Sequence, residues 1–301
     1  MKIIKANRND SGQRLDKFLG KIMPQAPKSL IYKGIRKNNV RINGKHCHDE
    51  KYIVCENDEF SLYFPDDLFR ENKKTSLLPA PDVIYEDDNI IIVNKPRGLS
   101  VHADEKNSND NLINRILNYL HKKKEYNPKT ENSFTPALCN RLDRNTSGLL
   151  IAAKNASALR IINDKIKNRE IKKYYFAVAE GIFKKKKDTL ISYLERKEKI
   201  VKINDEGSGK QSITKYRVIS EKNNTSLLEI ELLTGRTHQI RSQLSAIGHP
   251  LVGDVKYKGK KSDGGYKLIS YKLVFSFTSD SGPLSYLNGK EITLQQDYQD
   301  F

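Results

Sequence analysis

From residue 81 onward the apolar residues of this chain fall in short runs, and only a few stretches carry helical spacing. "DVIYEDDNIIIVNKPRGLSVH" gives two apolar strands, broken at Asp87-Asp88 and stopped by Pro96 and Gly98. Leu149 to Ala153 reads as a short buried strand, and "KKYYFAVAEGIF", "SITKYRVIS", "TSLLEIELLT", "YKLISYKLVFSF" and "EITL" as further strands. Runs of this length bounded by turn residues favour strands. "NDNLINRILNYLHKK" is a helix with Leu112, Ile113, Ile116, Leu117 and Leu120 on one face, and "NASALRIINDKIKNRE" a second with Leu159, Ile162 and Ile166 inward. "THQIRSQLSAIGHP" is a third, opened by Thr237 and closed by Gly248, with Pro250 beyond. Many strands with few helices between them predict an α+β fold with a mainly antiparallel central sheet.

The first 66 residues read as a small separate domain. "QRLDKFLGKIM" sets Leu15, Phe18, Leu19 and Ile22 at helical spacing. "PKSLIYKGIRKNNV" follows, with Ser29 as its expected N-cap and Lys28, Lys33, Arg36 and Lys37 supplying charge. In "VRINGKHCHD" a strand runs into an Asn43-Gly44 turn, a strong hairpin signal. Two short basic helices and a hairpin suit a compact RNA reader. Residues 67–80 lack a clear period and read as a linker to a main domain over 81–301.

Charge narrows the partners. Lys+Arg 54 against Asp+Glu 37 gives +17, which points to a polyanion, nucleic acid first. The Lys-rich tracts "HKKKEYNPKTEN" and "FKKKKD" read as surface loops. An acidic membrane surface fits less well, because no long Lys-rich amphipathic helix is visible. No apolar stretch approaches the roughly 18–20 residues of a transmembrane helix, and "MKIIKANRND" turns polar too early for a signal peptide. Cys47, Cys55 and Cys139 show no CxxC spacing and fit a reducing cytoplasm.

The usual sites of chemistry are missing. "HCHDE" gathers His46, Cys47 and His48, but no second ligand cluster stands at usable spacing, so no metal is expected. There is no P-loop, GxGxxG or GxSxG, and Cys139 reads as a small buried residue. "NRLDRNTSGLL" and "TGRTHQIRSQL" remain. Asp143 sits on a polar turn between Arg141 and Arg144, whose guanidinium groups favour the ionised acid. Such a carboxylate is a poor general acid but can serve as nucleophile or electrostatic partner. Gly235-Arg236 enters a helix whose N-terminus can receive an anion. Arg241 borders the apolar face of Ile240, Leu244 and Ile247, placed to reach a carboxylate in a cleft. A purely structural salt bridge is the alternative reading of both segments.

"NRLDRNTSGLLIAAK" closely resembles the signature around the catalytic aspartate of the pseudouridine synthases typified by ribosomal large subunit synthases A, C and D. "VIYEDDNIIIVNKPRGLSVH", "REIKKYYFAVAEG", "LTGRTHQIRSQL" and "GHPLVGD" resemble further blocks of that family, in family order. "RLDKFL", "PKSLIYK" and "VRINGK" resemble an S4 RNA-binding domain, and "APKSLIYKGIRKNNVRINGK" looks most like synthase C.

The resemblance implies an isomerase that turns uridine into its C-glycoside: N1–C1′ breaks, the base turns, and C5 joins C1′. Nothing is oxidised and nothing leaves, so no cofactor or metal is implied. Asp143 matches the nucleophilic carboxylate, with attack on the sugar, attack on the base and a glycal-type intermediate all open. Tyr175 matches the tyrosine that packs on the target base, and Arg241 the arginine that pairs with the aspartate. Arg141 matches the arginine that helps displace the target nucleotide, since the base must leave its stack. Arg144, Lys173, Arg236, Thr237 and His238 are expected to touch RNA or to serve the structure, and Lys28, Lys33, Arg36 and Lys37 to meet phosphates. Two positions depart from the family, which usually has histidine where this chain has Asn140 and often where it has Gln243. The implied substrate is 23S ribosomal RNA or a large-subunit assembly intermediate, met by a cytoplasmic monomer. A synthase acting on transfer RNA, a non-catalytic RNA-binding or assembly factor on the same scaffold, and a glycosidase are the competing readings. The last needs a second essential acid, and Asp87 and Asp88 are expected to be solvated.

Overall fold

A computed structural model of the chain describes residues 1–69, 78–103, 109–197, 200–204 and 208–295; most of the expected linker, and the last six residues of the expected main domain, lie outside them. The first part of the chain forms β1 (Lys2–Lys5), α1 (Leu15–Ile22), α2 (Lys28–Arg36), β2 (Val40–Ile42), β3 (Lys45–His46) and β4 (Glu59–Leu62). The strands pair in the order β1-β4-β2-β3, all antiparallel. The expected helices and hairpin are present, with Asn43 and Gly44 both at positive φ in the turn. β1 and β4 complete a sheet that their short segments, "KIIK" and "EFSL", did not announce. Leu15, Phe18, Leu19 and Ile22 are buried against it, with the Phe18 and Phe60 rings 4.8 Å apart. Ser29 is not the cap of α2. Pro27 occupies that place in an extended conformation and without a side-chain bond, its carbonyl accepting the N–H groups of Leu30 and Ile31. Phe69, within the expected linker, packs into this same core.

This unit is fastened to the rest of the chain by polar contacts. Asp10 is fully buried and accepts bonds from Ser133 N, Ser133 Oγ and Asn132 Nδ2 at 3.2, 2.5 and 2.7 Å. Asn7 and Asn9 donate to Glu131, and Asn9 Oδ1 accepts the N–H of Ala156 at 3.1 Å.

The larger sheet comprises β5 (Asp82–Glu86), β6 (Ile90–Lys95), β7 (Ala137–Leu138), β8 (Ser147–Ala153), β9 (Ile171–Glu180), β10 (Lys187–Lys197), β11 (Ile200–Asn204), β12 (Lys210–Lys222), β13 (Thr225–Leu232), β14 (Leu268–Phe275) and β15 (Glu291–Thr293). Its order is β11-β10-β12-β13-β9-β14-β8-β6-β5, with β15 beside β14 and β7 beside β8. Three helices join it: α3 (Leu112–Lys122), α4 (Ala156–Lys167) and α5 (Gln239–Ala246). The fold is α+β. The continuous run Ile90 to Val93 is wholly buried because the sheet is covered on both faces here. Ile91 and Val93 join α3 and α5 in one core, while Ile90 and Ile92 join α4 in the other.

Among the described strands β8 and β14 make the one parallel pairing, Ser147–Gly148 against Ile269–Ser270. Ser270 also pairs with Tyr175, so Gly148, Ser270 and Tyr175 stand abreast on three neighbouring strands. A Cβ on Gly148 would lie 2.2 Å from the Ser270 carbonyl oxygen. That contact seats the start of β8, and the turn before it, against β14, whose other neighbour is β9.

Four local expectations change. α5 starts at Gln239 rather than Thr237, because His238 takes the left-handed conformation (φ 53°) and interrupts the helical path. Ile247 is exposed, beyond the end of that helix. Lys187 and Asp188 of the Lys-rich tract open β10, which pairs with β11 and β12 despite its charges. Asp87 is no solvated acid: it accepts the N–H groups of Asn89 and Ile90 and the hydroxyls of Tyr85 and Tyr286.

Gly148→Ala should destabilise the protein by about 2–4 kcal/mol. Gly44→Ala, at φ 80° with open space around it, should cost only the about 1–2 kcal/mol of a left-handed residue. Urea unfolding of both variants measures the excess that belongs to the β8–β14 contact.

Candidate active site

Asp143 opens a tight turn closed by Thr146 N–H donating to its carbonyl at 3.1 Å. The turn is held from behind. The Arg144 carbonyl accepts from Lys95 Nζ at 2.8 Å and from Gly98 N at 3.0 Å, while Arg144 Nε donates to the Gly98 carbonyl. Lys95 is fully buried at the end of β6 and also donates to the carbonyls of Pro96 and Leu99. Burial lowers its pKa to about 8. It went unremarked in the sequence, although a lysine closing an all-apolar run just before Pro96 was its signal.

The Asp143 side chain stays a quarter exposed, and Arg241 NH1 donates to its Oδ2 at 2.9 Å. Arg241 reaches there from α5 while its other edge grips Asp254, Nε to Oδ2 at 2.7 Å and NH2 to Oδ1 at 2.8 Å. This fork makes Arg241 a fixed group rather than a swinging one. Burial opposes its charge, but the carboxylates of Asp254 and Asp143 prevail and raise its pKa. The rings of Tyr266 and Tyr257 lie 4.3 and 5.1 Å from the guanidinium carbon. Asp254, inside the quoted "GHPLVGD" block, was not singled out in the sequence. Nothing local distinguishes it from a surface acid, and only the fold brings it to Arg241.

Tyr175 is buried on β9 and borders the same pocket. Burial and the nearby Asp143 push its pKa well up, so the phenol is neutral. Tyr174 faces the other side of the sheet, where Lys272 lies over its ring. His238 places Nε2 3.8 Å from Asp143 Oδ2 and Nδ1 2.8 Å from the Tyr257 hydroxyl. Burial, partly offset by Asp143, lowers its pKa to about 4. The pocket enclosed by these groups has about 360 Å³ of space including its open mouth.

The structure thus brings Asp143, Tyr175, Arg241 and His238 together, with Arg141 and Arg236 exposed at the mouth. Other expected residues lie elsewhere. Arg144 turns back to Gly98, and Thr237 is exposed outside the pocket lining. Lys173 is buried near Gly235, and burial lowers its pKa. Lys28, Lys33, Arg36 and Lys37 are exposed in the N-terminal unit, on or just past α2. His46 and His48 are exposed at the end of the β2–β3 hairpin with ring centres 6.5 Å apart.

Both departures from the expected histidines have local accounts. Gln243 is buried against β10 and β12: its amide donates to Ser192 Oγ, Leu190 O and Ser212 O and accepts from Thr214 Oγ1. Imidazole, with two ring nitrogens, cannot replace four such bonds. Asn140 Oδ1 accepts the Ile151 N–H at 2.9 Å, while its Nδ2 is buried without a partner among the described residues.

A carboxylate held in an open pocket of the sheet, beside a basic N-terminal unit, suits an enzyme that acts on a polyanion. A family profile described as RNA pseudouridylate synthase matches residues 89–246, and an S4 domain profile matches residues 13–60. The chain is 34% identical to an uncharacterized RNA pseudouridine synthase of Mycoplasma capricolum, over 97% of each chain. It is 35% identical to ribosomal large subunit pseudouridine synthase C of Buchnera aphidicola (85% of this chain, 80% of that one). For synthase D of Escherichia coli K12 identity is 33%, over 84% and 75%. Among solved structures, human RNA pseudouridylate synthase domain containing 4 has the same fold with a TM-score of 0.55 at 19% identity, covering 72% of this chain and 89% of that one. This chain belongs to the RNA pseudouridine synthase family, and is an isomerase acting on RNA.

The lowered pKa of His238 links to stability. As pH falls from 6.5 towards 4 the unfolded chain takes up this proton before the folded one, so stability drops across that window by up to about 3 kcal/mol. His238→Gln should lose less between pH 7.5 and 4.5 than the parent protein, read from urea midpoints at both values.

Proposed function

We propose that the protein isomerises uridines of large-subunit ribosomal RNA with Asp143 as its nucleophile. The observation that carries this reading is an ionisable carboxylate, a quarter exposed in a pocket, with Oδ2 tied to a buried arginine and a neutral tyrosine beside it. The uridine leaves its stack, with Arg141 at the pocket mouth to take its place, and enters beside Tyr175. N1–C1′ then breaks, the uracil turns, C5–C1′ forms, the C5 proton departs and N1 is protonated. Tyr175, held in its phenol form, offers a flat face to the base and an O–H donor. The ribosomal target is supported by the relatives named synthases C and D. A glycosidase reading finds no free second acid in Asp254, which is 2% exposed and engaged on both oxygens by Arg241.

In the same reading residues 1–66, joined by Phe69 in their core, are the RNA-reading domain, the rest of 67–80 a linker and 81–301 the catalytic domain of a cytoplasmic monomer. Among the described residues no helix is long and apolar enough to cross a membrane. Lys28, Lys33, Arg36 and Lys37 are exposed on or just past α2 and are assigned to phosphates, the last three at helical spacing.

Asp143→Asn should abolish isomerisation while RNA affinity stays within about threefold of the parent, because one carboxylate oxygen is exchanged for an isosteric amide. Pseudouridine mapping of ribosomal and transfer RNA from cells lacking the gene, complemented with either form, reads activity and target together. Retained modification by Asp143→Asn would remove the nucleophile assignment; sites lost only from transfer RNA would remove the ribosomal one. Replacing Lys33, Arg36 and Lys37 together by Ala should weaken RNA binding and flatten the log K against log salt slope by about 2–3, at roughly 0.7–0.9 per lost phosphate contact. Binding titrations across a salt series measure it.

A further inference from the structure

We propose that Tyr257 fixes the tautomer of His238, so that a neutral imidazole presents its Nε2–H to the Asp143 carboxylate. This deepens the reading of Asp143 given above and rests on it.

The hydrogen bonds leave one consistent assignment. The Tyr257 side chain is buried, and its hydroxyl oxygen accepts the backbone N–H of Val201 at 3.1 Å. The hydroxyl has a single proton to give, and His238 Nδ1 lies 2.8 Å away. The two rings meet edge-on, 79° apart, with centroids separated by 5.6 Å. If Nδ1 carried the imidazole proton, the tyrosine oxygen would accept twice and its own O–H would be left buried without an acceptor among the described residues. The bare lone pair of Nε2 would then face the Asp143 oxygen 3.8 Å away, an unfavourable pairing. With the proton on Nε2 both faults vanish. Burial keeps the ring neutral at pH 7, which leaves a single N–H to place.

The backbone serves the same end. His238 holds a left-handed conformation (φ 53°, ψ 20°) ahead of α5, rare for a residue with a side chain, and its ring is mostly buried in the pocket wall. Tyr257 belongs to a short turn, Val255–Tyr257, that follows directly on Asp254. Ser245 Oγ of α5 donates to the Tyr257 carbonyl at 2.7 Å and holds that turn in place. One short segment thus carries two arms: Asp254 aligns Arg241, and Tyr257 aligns His238. Both arms end on Asp143 Oδ2. No hydrogen bond from the described residues engages Oδ1, so the geometry assigns Oδ1 as the oxygen that meets the nucleoside. His238 and Tyr257 are positioning residues in this scheme, acting through the carboxylate.

The test uses the full-length protein labelled with ¹⁵N-histidine, its His238 resonances assigned by their loss in His238→Gln. At pH 7 the expected pattern is a protonated Nε2 and an unprotonated Nδ1, and in Tyr257→Phe a shift towards a mixture of tautomers. A proton on Nδ1 in the parent protein, or an unchanged spectrum in Tyr257→Phe, would overturn the proposal. These readouts need no turnover and hold whatever Asp143 proves to do. In turnover assays Tyr257→Phe and His238→Phe should each lower kcat about tenfold with KM for RNA unchanged. His238→Gln, whose amide N–H can occupy the place of Nε2–H, should recover most of that loss. Parent-level kcat in both phenylalanine variants would refute the positioning role, whereas an active Asp143→Asn would instead refute the nucleophile assignment beneath it.

Discussion

The guanidinium of Arg241 lies between two carboxylates inside the protein, and the geometry around Asp143 follows from it. Asp254 takes both of its inner donors, leaving one N–H directed at Asp143. A buried ion pair of this kind contributes little net stability, yet removing one partner typically costs about 3–5 kcal/mol because the other charge is stranded. The structural and functional readings of the arginine are therefore not alternatives. The Asp254 side is the structural bridge, and the Asp143 side is its open end in the pocket.

Around that pair the protein keeps its other site groups uncharged. Tyr175 is held as a phenol and His238 as a neutral imidazole, both by burial. The chain's large excess of positive charge is not spent in the pocket interior. It is found at the mouth, on Arg141 and Arg236, and on the N-terminal unit, on Lys33, Arg36 and Lys37. A cationic surface draws a polyanion from any direction, while a largely neutral interior admits an uncharged base. The polar seam at Asp10 and Asn9 holds the N-terminal unit against Ser133 and the start of α4.

Much of this was legible in the residue order. Local periodicity and turn chemistry placed α1, α2, the Asn43-Gly44 hairpin and most central strands, because those signals act within a few residues. The errors share a cause. Thr237 looked like a cap, but the left-handed His238 moved the start of α5, a choice made by contacts with Tyr257 and Asp143. β10 and β11 carry too many charges for an apolar pattern, and pair because an edge of the sheet was available to them. Gln243, a departure from the histidine often found there in the family, is a buried tie between α5 and two strands.

Sequence alone determined the class of fold, the strongly basic character of the chain, and the candidacy of Asp143, Tyr175 and Arg241, all of which lie within recognisable local patterns. Tertiary structure alone decided which groups meet. Asp143 stands between Arg141 and Arg144 in the chain, yet its closest ion pair is to Arg241, 98 residues away. Asp254, Tyr257 and Lys95 hold their places through contacts distant in sequence, with Arg241, with His238 and Ser245, and with the Arg144 carbonyl. Hydrogen bonds and ion pairs are fixed by distance in space, and residue order leaves those distances open until the sheet has formed.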